Sequence, residues 1–364
     1  TGSAGTIVVG LEKAGLWTDS RYFLQSSIEL KDTGIDLMKQ GVPGTPEISK
    51  WLTLELKAGD KVGINPQMFS VNAYADLKRV LDMAGIDIVF TDLPKKLWDD
   101  RPALPKDPFF VFDTQYSGIS TTDKLVKLRA ELKEMHSETF ILSALDDIAW
   151  LFNIRGKDVS YNPVVIAYAL VDGNQTSIFI DSDKLTVETK AYFASQNVEV
   201  KAYEAIYDAI AAITPGKRVL IDGAKLNQSL FAKIPESCSI VNTMSPVFKL
   251  KGVKNEVELS GIRKAMAKDG VALTRFFMWL EEAVKTGKET EVTVNKKLYE
   301  FRSKQDGFMG ESFGTIAGYG PHGAIVHYSA TEASASTLHP ENIFLLDSGA
   351  QFLDGTTDIT RTVA

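Results

Sequence analysis

The sequence predicts an α/β (α+β) chain: two similar α/β domains in tandem, then a helix-led segment closing on an acidic β-ribbon. Three observations carry this. A strand–turn–strand unit ending Trp17-Thr18-Asp19-Ser20 recurs as a hairpin ending Phe179-Ile180-Asp181-Ser182. The runs Gly59-Asp60-Lys61-Val62-Gly63-Ile64 and Asp87-Ile88-Val89 recur as Gly216-Lys217-Arg218-Val219-Leu220-Ile221 and Ser239-Ile240-Val241. All three recur at offsets of roughly 150 to 160 residues, the mark of an internal repeat. From Phe248 onward the apolar spacing becomes that of long helices.

Bulk properties bound the function. A chain of 364 residues holds two or three domains with cores of their own, here with limits at 1–108, 109–247 and 248–364. A net charge of −7 argues against nucleic acid as a partner. The apolar runs are far shorter than a membrane span, and no basic-then-apolar leader opens the chain, so no membrane partner is expected. The single cysteine, Cys238, excludes an internal disulfide and fits a reducing, cytoplasmic compartment; it reads as a small core residue. No Gly-x-Gly-x-x-Gly loop, Cys-x-x-Cys pair or Gly-x-Ser-x-Gly elbow is present, which leaves a serine or cysteine nucleophile without support.

In chain order, Thr6–Gly10 and Gly15–Thr18 alternate as two strands around a short turn. A helix-like stretch follows Tyr22, then Lys50–Lys57, then a strand over Lys61–Ile64. Asn72–Gly85 places Ala73, Leu77, Val80 and Leu81 at helical spacing, and Ile86–Phe90 is a short strand. Trp98–Pro108, with three prolines, is a linker. Thr122–Glu134 is an amphipathic helix with Leu125, Leu128 and Leu132 on one side. Thr139–Leu142 is a strand and Ala144–Leu151 a helix led by Asp146-Asp147. Val164–Val171 and Thr176–Ile180 flank an Asp172-Gly173-Asn174 turn. Asn255–Val284 and Thr290–Gln305 are helices, and a strand-rich stretch over Ser312–Tyr328 leads to the ribbon. The second repeat carries about fifty residues ahead of its hairpin, Phe112 to Pro163, for which the first has no counterpart. The first domain is therefore expected to lack its opening helix and strand.

The ribbon runs from Ile343 to Thr362. An apolar strand enters, Asp347 interrupts it, the chain turns near Asp354-Gly355, and a Thr-rich strand returns past Asp358. No lysine lies in the segment, so three carboxylates repel unless a proton or cation joins them, and hard divalent ions accept oxygen-only sites. A two-residue turn at Asp354-Gly355 places Asp347 opposite Thr362 and Asp358 opposite Gln351, roughly 13 Å apart at strand rise. A wider loop nearer Phe352-Leu353 brings Asp347 and Asp358 opposite each other. Geometry leaves Asp354 as a competing ligand, and leaves open a plain reading with Asp354 as turn former, Asp347 at a strand end and Asp358 exposed.

The stretch Asp347-Ser348-Gly349-Ala350-Gln351-Phe352-Leu353-Asp354-Gly355-Thr356-Thr357-Asp358-Ile359-Thr360-Arg361-Thr362 resembles the first metal-binding ribbon of the Xaa-Pro aminopeptidases (aminopeptidase P), of the pita-bread metallopeptidases. Gly2-Ser3-Ala4-Gly5-Thr6 resembles the segment before the first hairpin in the long, three-domain type, and the similarity extends over nearly the whole chain. The resemblance implies two creatinase-N-terminal-like α/β domains followed by an incomplete pita-bread catalytic domain, with the chain truncated at both ends. It makes Asp347 and Asp358 the metal ligands and Asp354 the turn residue.

The resemblance further implies a site of two divalent ions, Mn²⁺, completed by a histidine and two glutamates from later in the family's chain. With only the two aspartates, this chain should hold metal weakly or not at all and be inactive. The implied activity is removal of the N-terminal residue from short peptides with proline second, by a metal-activated hydroxide, in a homodimeric enzyme. Taken alone, His327 reads as an ordinary histidine at a strand end; the resemblance of Gly323-Ala324-Ile325-Val326-His327-Tyr328 makes it a substrate-binding and catalytic residue that steadies the tetrahedral intermediate. Arg21 reads as a surface arginine paired with Asp19; the resemblance makes it a binder of the peptide. His322 has no role beyond loop polarity, and His136 and His339 are isolated. Arg361 is a charge partner for Asp358. A creatinase- or prolidase-type hydrolase and a non-catalytic peptide-binding module on the same scaffold are the alternatives.

Overall fold

The computed structural model describes residues 3–364; Thr1 and Gly2, where the Gly2–Thr6 motif begins, lie outside them. The chain packs as two units, residues up to Glu55 together with Ser260–Ala364, and Leu56–Leu259. The division falls inside the first expected domain.

The first unit opens with β1 (Thr6–Val9), β2 (Ala14–Thr18) and β3 (Ile35–Lys39). β1 pairs antiparallel with β2, Thr6 opposite Trp17, and β3 runs parallel to β2. Trp17 anchors this sheet: it is buried, donates from Nε1 to the Pro46 carbonyl at 2.8 Å and meets Trp51 edge-on. The strand β3 has no clear apolar alternation because Asp36 and Lys39 lie in it, as charged residues do on a sheet edge.

The second unit contains β4 (Lys61–Ile64), β5 (Asp87–Phe90), β6 (Phe110–Val111), β7 (Thr139–Leu142), β8 (Ile154–Arg155), β9 (Ala167–Asp172), β10 (Thr176–Ile180), β11 (Glu199–Ala202), β12 (Arg218–Ile221) and β13 (Ser239–Asn242). Residues 98–109 carry no helix or strand, as the linker requires. Six strands form one sheet in the order β11-β10-β9-β7-β12-β13. Its side chains alternate between two cores. Phe140, Leu142, Ile178, Ile180 and Leu220 pack with Leu125 and Leu128 on one face. Ile141, Phe179, Val219 and Ile221 pack with Ile206, Ile210 and Leu230 on the other. Both faces are covered, which is why these strands read as continuous apolar runs.

The strands of the two expected copies share a pairing pattern. β9-β10-β11 is an antiparallel pair followed by a parallel one, as is β1-β2-β3, and β12-β13 is a parallel pair, as is β4-β5. In the second unit β7 joins the two sets by pairing with both β9 and β12. Neither the β1-β2-β3 sheet nor the β4-β5 sheet contains a counterpart of β7.

The helix Glu256–Ala283 starts at the end of the second unit and continues into the remainder of the first, which resumes at Ser260; its start is closed by a reciprocal pair: Glu258 N–H donates to Asn255 Oδ1 and Asn255 N–H to Glu258 Oε2. The helix Glu291–Ser303 opens on a Thr290–Thr293 capping box. Then come β14 (Phe308–Glu311), β15 (Ile316–Tyr319), β16 (Phe344–Ser348), β17 (Ala350–Phe352) and β18 (Ile359–Val363), with sheets β14-β17 and β15-β16-β18. The two helices pack Leu273, Phe276, Leu280, Val294 and Leu298 onto Ala317, Phe344, Leu346 and Ile359. The expected strand up to Tyr328 stops at Tyr319. Gly320 takes φ +56° and Pro321 lacks an N–H, so the chain enters a 3-10 turn over Gly320–Ala324, and His327 lies in a turn and not at a strand end.

Candidate active site

Register decides what the acidic ribbon can do. Asp347 pairs with Thr360 and Ser348 with Ile359; farther on, Thr357 N–H donates to the Ala350 carbonyl and Gln351 bridges Thr356. Phe352 and Gly355 exchange backbone hydrogen bonds at 2.9 and 3.2 Å, so the two-residue loop is Leu353-Asp354. This is one position earlier than an Asp354-Gly355 turn, and it matches neither register considered from sequence. Asp358 falls opposite Gly349, on the diagonal from Asp347, a separation of roughly 7–8 Å between backbones that side chains can span. The two aspartates share a face. Phe344, Leu346 and Ser348 are buried and Leu345 and Asp347 half-buried, while Asp358 and Thr360 are exposed on either side of buried Ile359.

The third carboxylate is occupied elsewhere. Asp354 pairs with Lys268 of the long helix, which also donates to the Asp306 carbonyl at 2.9 Å. The lysine missing from the ribbon itself thus arrives from a helix, and Asp354 is removed from the contest for metal. Gly261 permits this docking, because a Cβ there would lie 2.4 Å from the Asp354 carbonyl oxygen. Arg361 does not pair with Asp358; its Nη1 donates to the Thr360 carbonyl at 2.7 Å.

Behind the two aspartates lies a buried ion pair that the sequence reading passed over. Arg302 donates from Nε to Asp269 Oδ1 at 2.8 Å and from Nη2 to Asp269 Oδ2 at 3.1 Å, and both side chains are fully buried. The same guanidinium donates to Ser348 Oγ at 3.1 Å and the Gly349 carbonyl at 3.3 Å. Asp269 Oδ2 also accepts from Thr357 Oγ1 at 2.5 Å. Ser348 follows Asp347 and Thr357 precedes Asp358, so one pair grips both strands beside the candidate ligands. The available signal was a polar residue on each inward face: Asp269 four residues after Ala265 and four before Leu273, Arg302 four after Leu298.

On the open face, Asp347 accepts from Thr360 Oγ1 at 2.8 Å, and neither Asp347 nor Asp358 forms an ion pair among the described residues. Two unpaired carboxylates on one face, offering oxygen alone, fit hard divalent ions such as Mg²⁺ or Mn²⁺. Among the described residues no third His, Cys, Asp or Glu joins them.

His327 sits in the same packing unit as this ribbon and as the N-terminal hairpin. Its Nδ1 lies 2.5 Å from the Tyr22 hydroxyl, with the rings edge-to-face at 5.0 Å. The Arg21 guanidinium stands 5.5 Å from the centre of the Tyr22 ring and pairs with Asp19 through Nε at 2.8 Å and Nη2 at 2.6 Å. These hydrogen bonds hold the Asp19 carboxyl down to about 2. The surface pairing expected of Arg21 is present. His322 departs from expectation: its Nδ1 lies 2.9 and 3.0 Å from the oxygens of buried Glu291, and its ring stacks on Tyr328 at 4.4 Å. Glu291 also accepts from Tyr328 Oη at 2.8 Å and from the N–H groups of Tyr319 and Ser336. Burial, with this carboxylate adding to it, pushes the Tyr328 hydroxyl up to about 12. His322 therefore helps tie the 320–336 loop to a helix start. His136 and His339 are exposed. Asn153 and Arg155 are internal wiring: Asn153 Oδ1 accepts from Lys124 Nζ, and Arg155 caps the Ala149 and Ile154 carbonyls.

Residues 100–258 match the Creatinase/Prolidase N-terminal domain family, and residues 260–364 match metallopeptidase family M24. The chain belongs to this pita-bread metallopeptidase family, in the branch with creatinase-type N-terminal domains, and the α/β (α+β) class holds. Within the family it is similar to aminopeptidase P2 of Arabidopsis thaliana, 39% identical with 100% of this chain and 56% of the relative covered. It is 41% identical to a probable Xaa-Pro aminopeptidase P of Aspergillus flavus, with 57% of that protein covered. The crystal structure of an X-prolyl aminopeptidase from Caenorhabditis elegans, described as a cytosolic enzyme with a di-nuclear active site, superposes with a TM-score of 0.93 at 34% identity, covering 99% of this chain and 60% of that one. The chain thus spans little more than half the length of these relatives.

Proposed function

We propose that the whole protein is a metallo-aminopeptidase that removes the N-terminal residue from short peptides with proline second. The observation that carries this reading is the pair Asp347 and Asp358, on one open face of a ribbon braced from behind by Asp269 and Arg302. The names of the three relatives above support it. In this reading Asp347 and Asp358 hold two divalent ions, Mn²⁺, with further ligands from outside this chain. When bound, the ions would lower the pKa of water and polarise the scissile carbonyl.

The chain's own residues orient and stabilise. Thr360 fixes one Asp347 oxygen and leaves the other free. His327 donates a hydrogen bond to the oxygen that gains charge as the carbonyl becomes tetrahedral. Arg21, a rigid fork suited to carbonyls or a carboxylate, binds the peptide beyond the scissile bond. Residues 1–108 and 109–247 are two copies of one domain that limit access to short peptides, and 248–364 is the first half of the catalytic domain. A cytoplasmic homodimer is the expected setting. The full-length protein should cleave Xaa-Pro-Xaa peptides in an EDTA-sensitive reaction, and this 364-residue chain should show little or none. Turnover of Xaa-Pro dipeptides or creatine in preference would replace this reading with the prolidase or creatinase one.

A further inference from the structure

We propose that Tyr22 is a positioning residue that holds neutral His327 in its Nε2–H tautomer, so that the N-terminal hairpin sets which nitrogen of this histidine can donate. The inference rests on the reading of His327 as a substrate-facing donor, and it extends that reading to a residue and a proton. A phenol oxygen carries one proton and two lone pairs. Three groups surround that of Tyr22: Ser3 N–H at 2.8 Å, Ser3 Oγ at 2.7 Å and His327 Nδ1 at 2.5 Å. The amide can only donate, so it takes one lone pair. The single proton then goes either to His327 Nδ1 or to Ser3 Oγ.

Acid and base strength select the first. A phenol is a better donor than an alkyl hydroxyl, and an imidazole nitrogen is a better acceptor than either oxygen. Ser3 is exposed and can exchange hydrogen bonds with water, whereas Tyr22 is buried and has no such recourse. With Tyr22 O–H donating to Nδ1 and Ser3 Oγ–H donating to Tyr22, all three polar groups are satisfied. The proton of neutral His327 is then on Nε2, which has no hydrogen-bond partner among the described residues. The edge-to-face packing of the two rings fixes the orientation of that nitrogen as well. Asp19 and Arg21 add to the hold, since the Arg21 guanidinium stands 5.5 Å from the centre of the Tyr22 ring and is itself clamped by Asp19.

The test is nitrogen NMR of the full-length protein, labelled with ¹⁵N-histidine and loaded with diamagnetic Mg²⁺, recorded above the titration of His327 and assigned with a His327→Gln sample. Wild-type His327 is expected to show a protonated Nε2 and an unprotonated Nδ1. A protonated Nδ1 overturns the proposal without need of any variant. Tyr22→Phe keeps the ring and removes the donor; it should mix the tautomers and, because one hydrogen bond sets the bias, lower kcat by roughly 3- to 10-fold with KM little changed. Ser3→Ala should leave the tautomer as in wild type, whereas a gain of Nε2 protonation on going from wild type to Ser3→Ala means that Tyr22 donates to Ser3 in the wild type and refutes the assignment. A tautomer unchanged in Tyr22→Phe also refutes it. A tautomer that shifts while kcat stays fixed upholds the role of Tyr22 and refutes instead the reading of His327 as oxyanion donor.

Discussion

Arg302→Met is the substitution that most directly probes how the ribbon is held. The guanidinium makes four hydrogen bonds, two to Asp269, one to Ser348 Oγ and one to the Gly349 carbonyl, from a fully buried position. Methionine fills much of the same volume but leaves the Asp269 carboxylate buried with only the Thr357 hydroxyl as donor. An uncompensated buried charge costs about 3–5 kcal/mol. At 2–4 °C per kcal/mol for a unit of this size, the thermal midpoint should fall by roughly 6–20 °C. Pairing it with Asp269→Leu removes the orphaned charge, and such apolar replacements of buried ion pairs are often neutral. The double variant should therefore recover most of the stability. It should not recover metal affinity, because nothing then ties Ser348 and Thr357, and a lost outer-shell contact costs about 10- to 100-fold. Urea unfolding of this chain and calorimetric Mn²⁺ titration of the full-length protein read the two effects separately. An Arg302→Met midpoint within about 1 kcal/mol of the parent would refute the brace. A double variant that binds Mn²⁺ like the parent would confine the pair to stability.

Three further outcomes follow from named contacts. Asp347→Asn and Asp358→Asn should each lower Mn²⁺ affinity of the full-length protein by more than the roughly 100-fold of an outer-shell change, while the thermal midpoint of this chain stays put or rises as repulsion is relieved; a midpoint that falls steeply would make them structural. Gly261→Ala places a Cβ 2.4 Å from the Asp354 carbonyl, so it should cost about 1–3 kcal/mol and speed amide exchange across the Leu353-Asp354 turn; unchanged exchange there would dissociate the helix from the ribbon. Burial pushes Lys124 down to about 7 from 10.5, although Trp150 O, Asn153 Oδ1 and the Trp150 ring partly hold the charge. The unfolded chain then binds more protons between those values, so stability rises with pH there and the penalty is complete below about 7. Measured by urea midpoints, the stability of Lys124→Met relative to wild type should drop by about 2 kcal/mol between pH 7 and 9, at 1.4 kcal/mol per unit of pKa; a flat difference would mean that Lys124 titrates normally.

Legibility tracked how far each feature depended on local pattern. The long helices and the sheet strands β7, β9, β10 and β12 were readable because each carries its own period. The edge strands β3 and β11 were not, since Ile35-Asp36-Leu37-Met38-Lys39 and Glu199-Val200-Lys201-Ala202 place charges where water or a loop covers an edge. The ribbon's residues were legible and its register was not. Asp354-Gly355 is the stronger turn signal in isolation, yet the turn forms at Leu353-Asp354 because Lys268 captures the Asp354 side chain and Gly261 admits its carbonyl. His322 was misread for the same reason: its partner, Glu291, is 31 positions away, and no local rule links a loop histidine to a carboxylate in the first turn of a helix.

The two faces of the ribbon solve opposite electrostatic problems, and the comparison shows why one side is closed and the other open. On the buried face Asp269 meets Arg302, and Ser348 and Thr357 supply hydroxyls. On the other face, among the described residues, the carboxylates of Asp347 and Asp358 have one hydroxyl between them and no cation. A surface selected for stability alone would place a lysine or arginine across from them, as the helix does for Asp354 with Lys268. Arg361, the arginine nearest in sequence, instead caps a backbone carbonyl. Charge is thus neutralised wherever it would disturb the ribbon's register and left bare where the two strands face outward, which is the distribution a cation-binding arm requires and an ordinary structural hairpin does not.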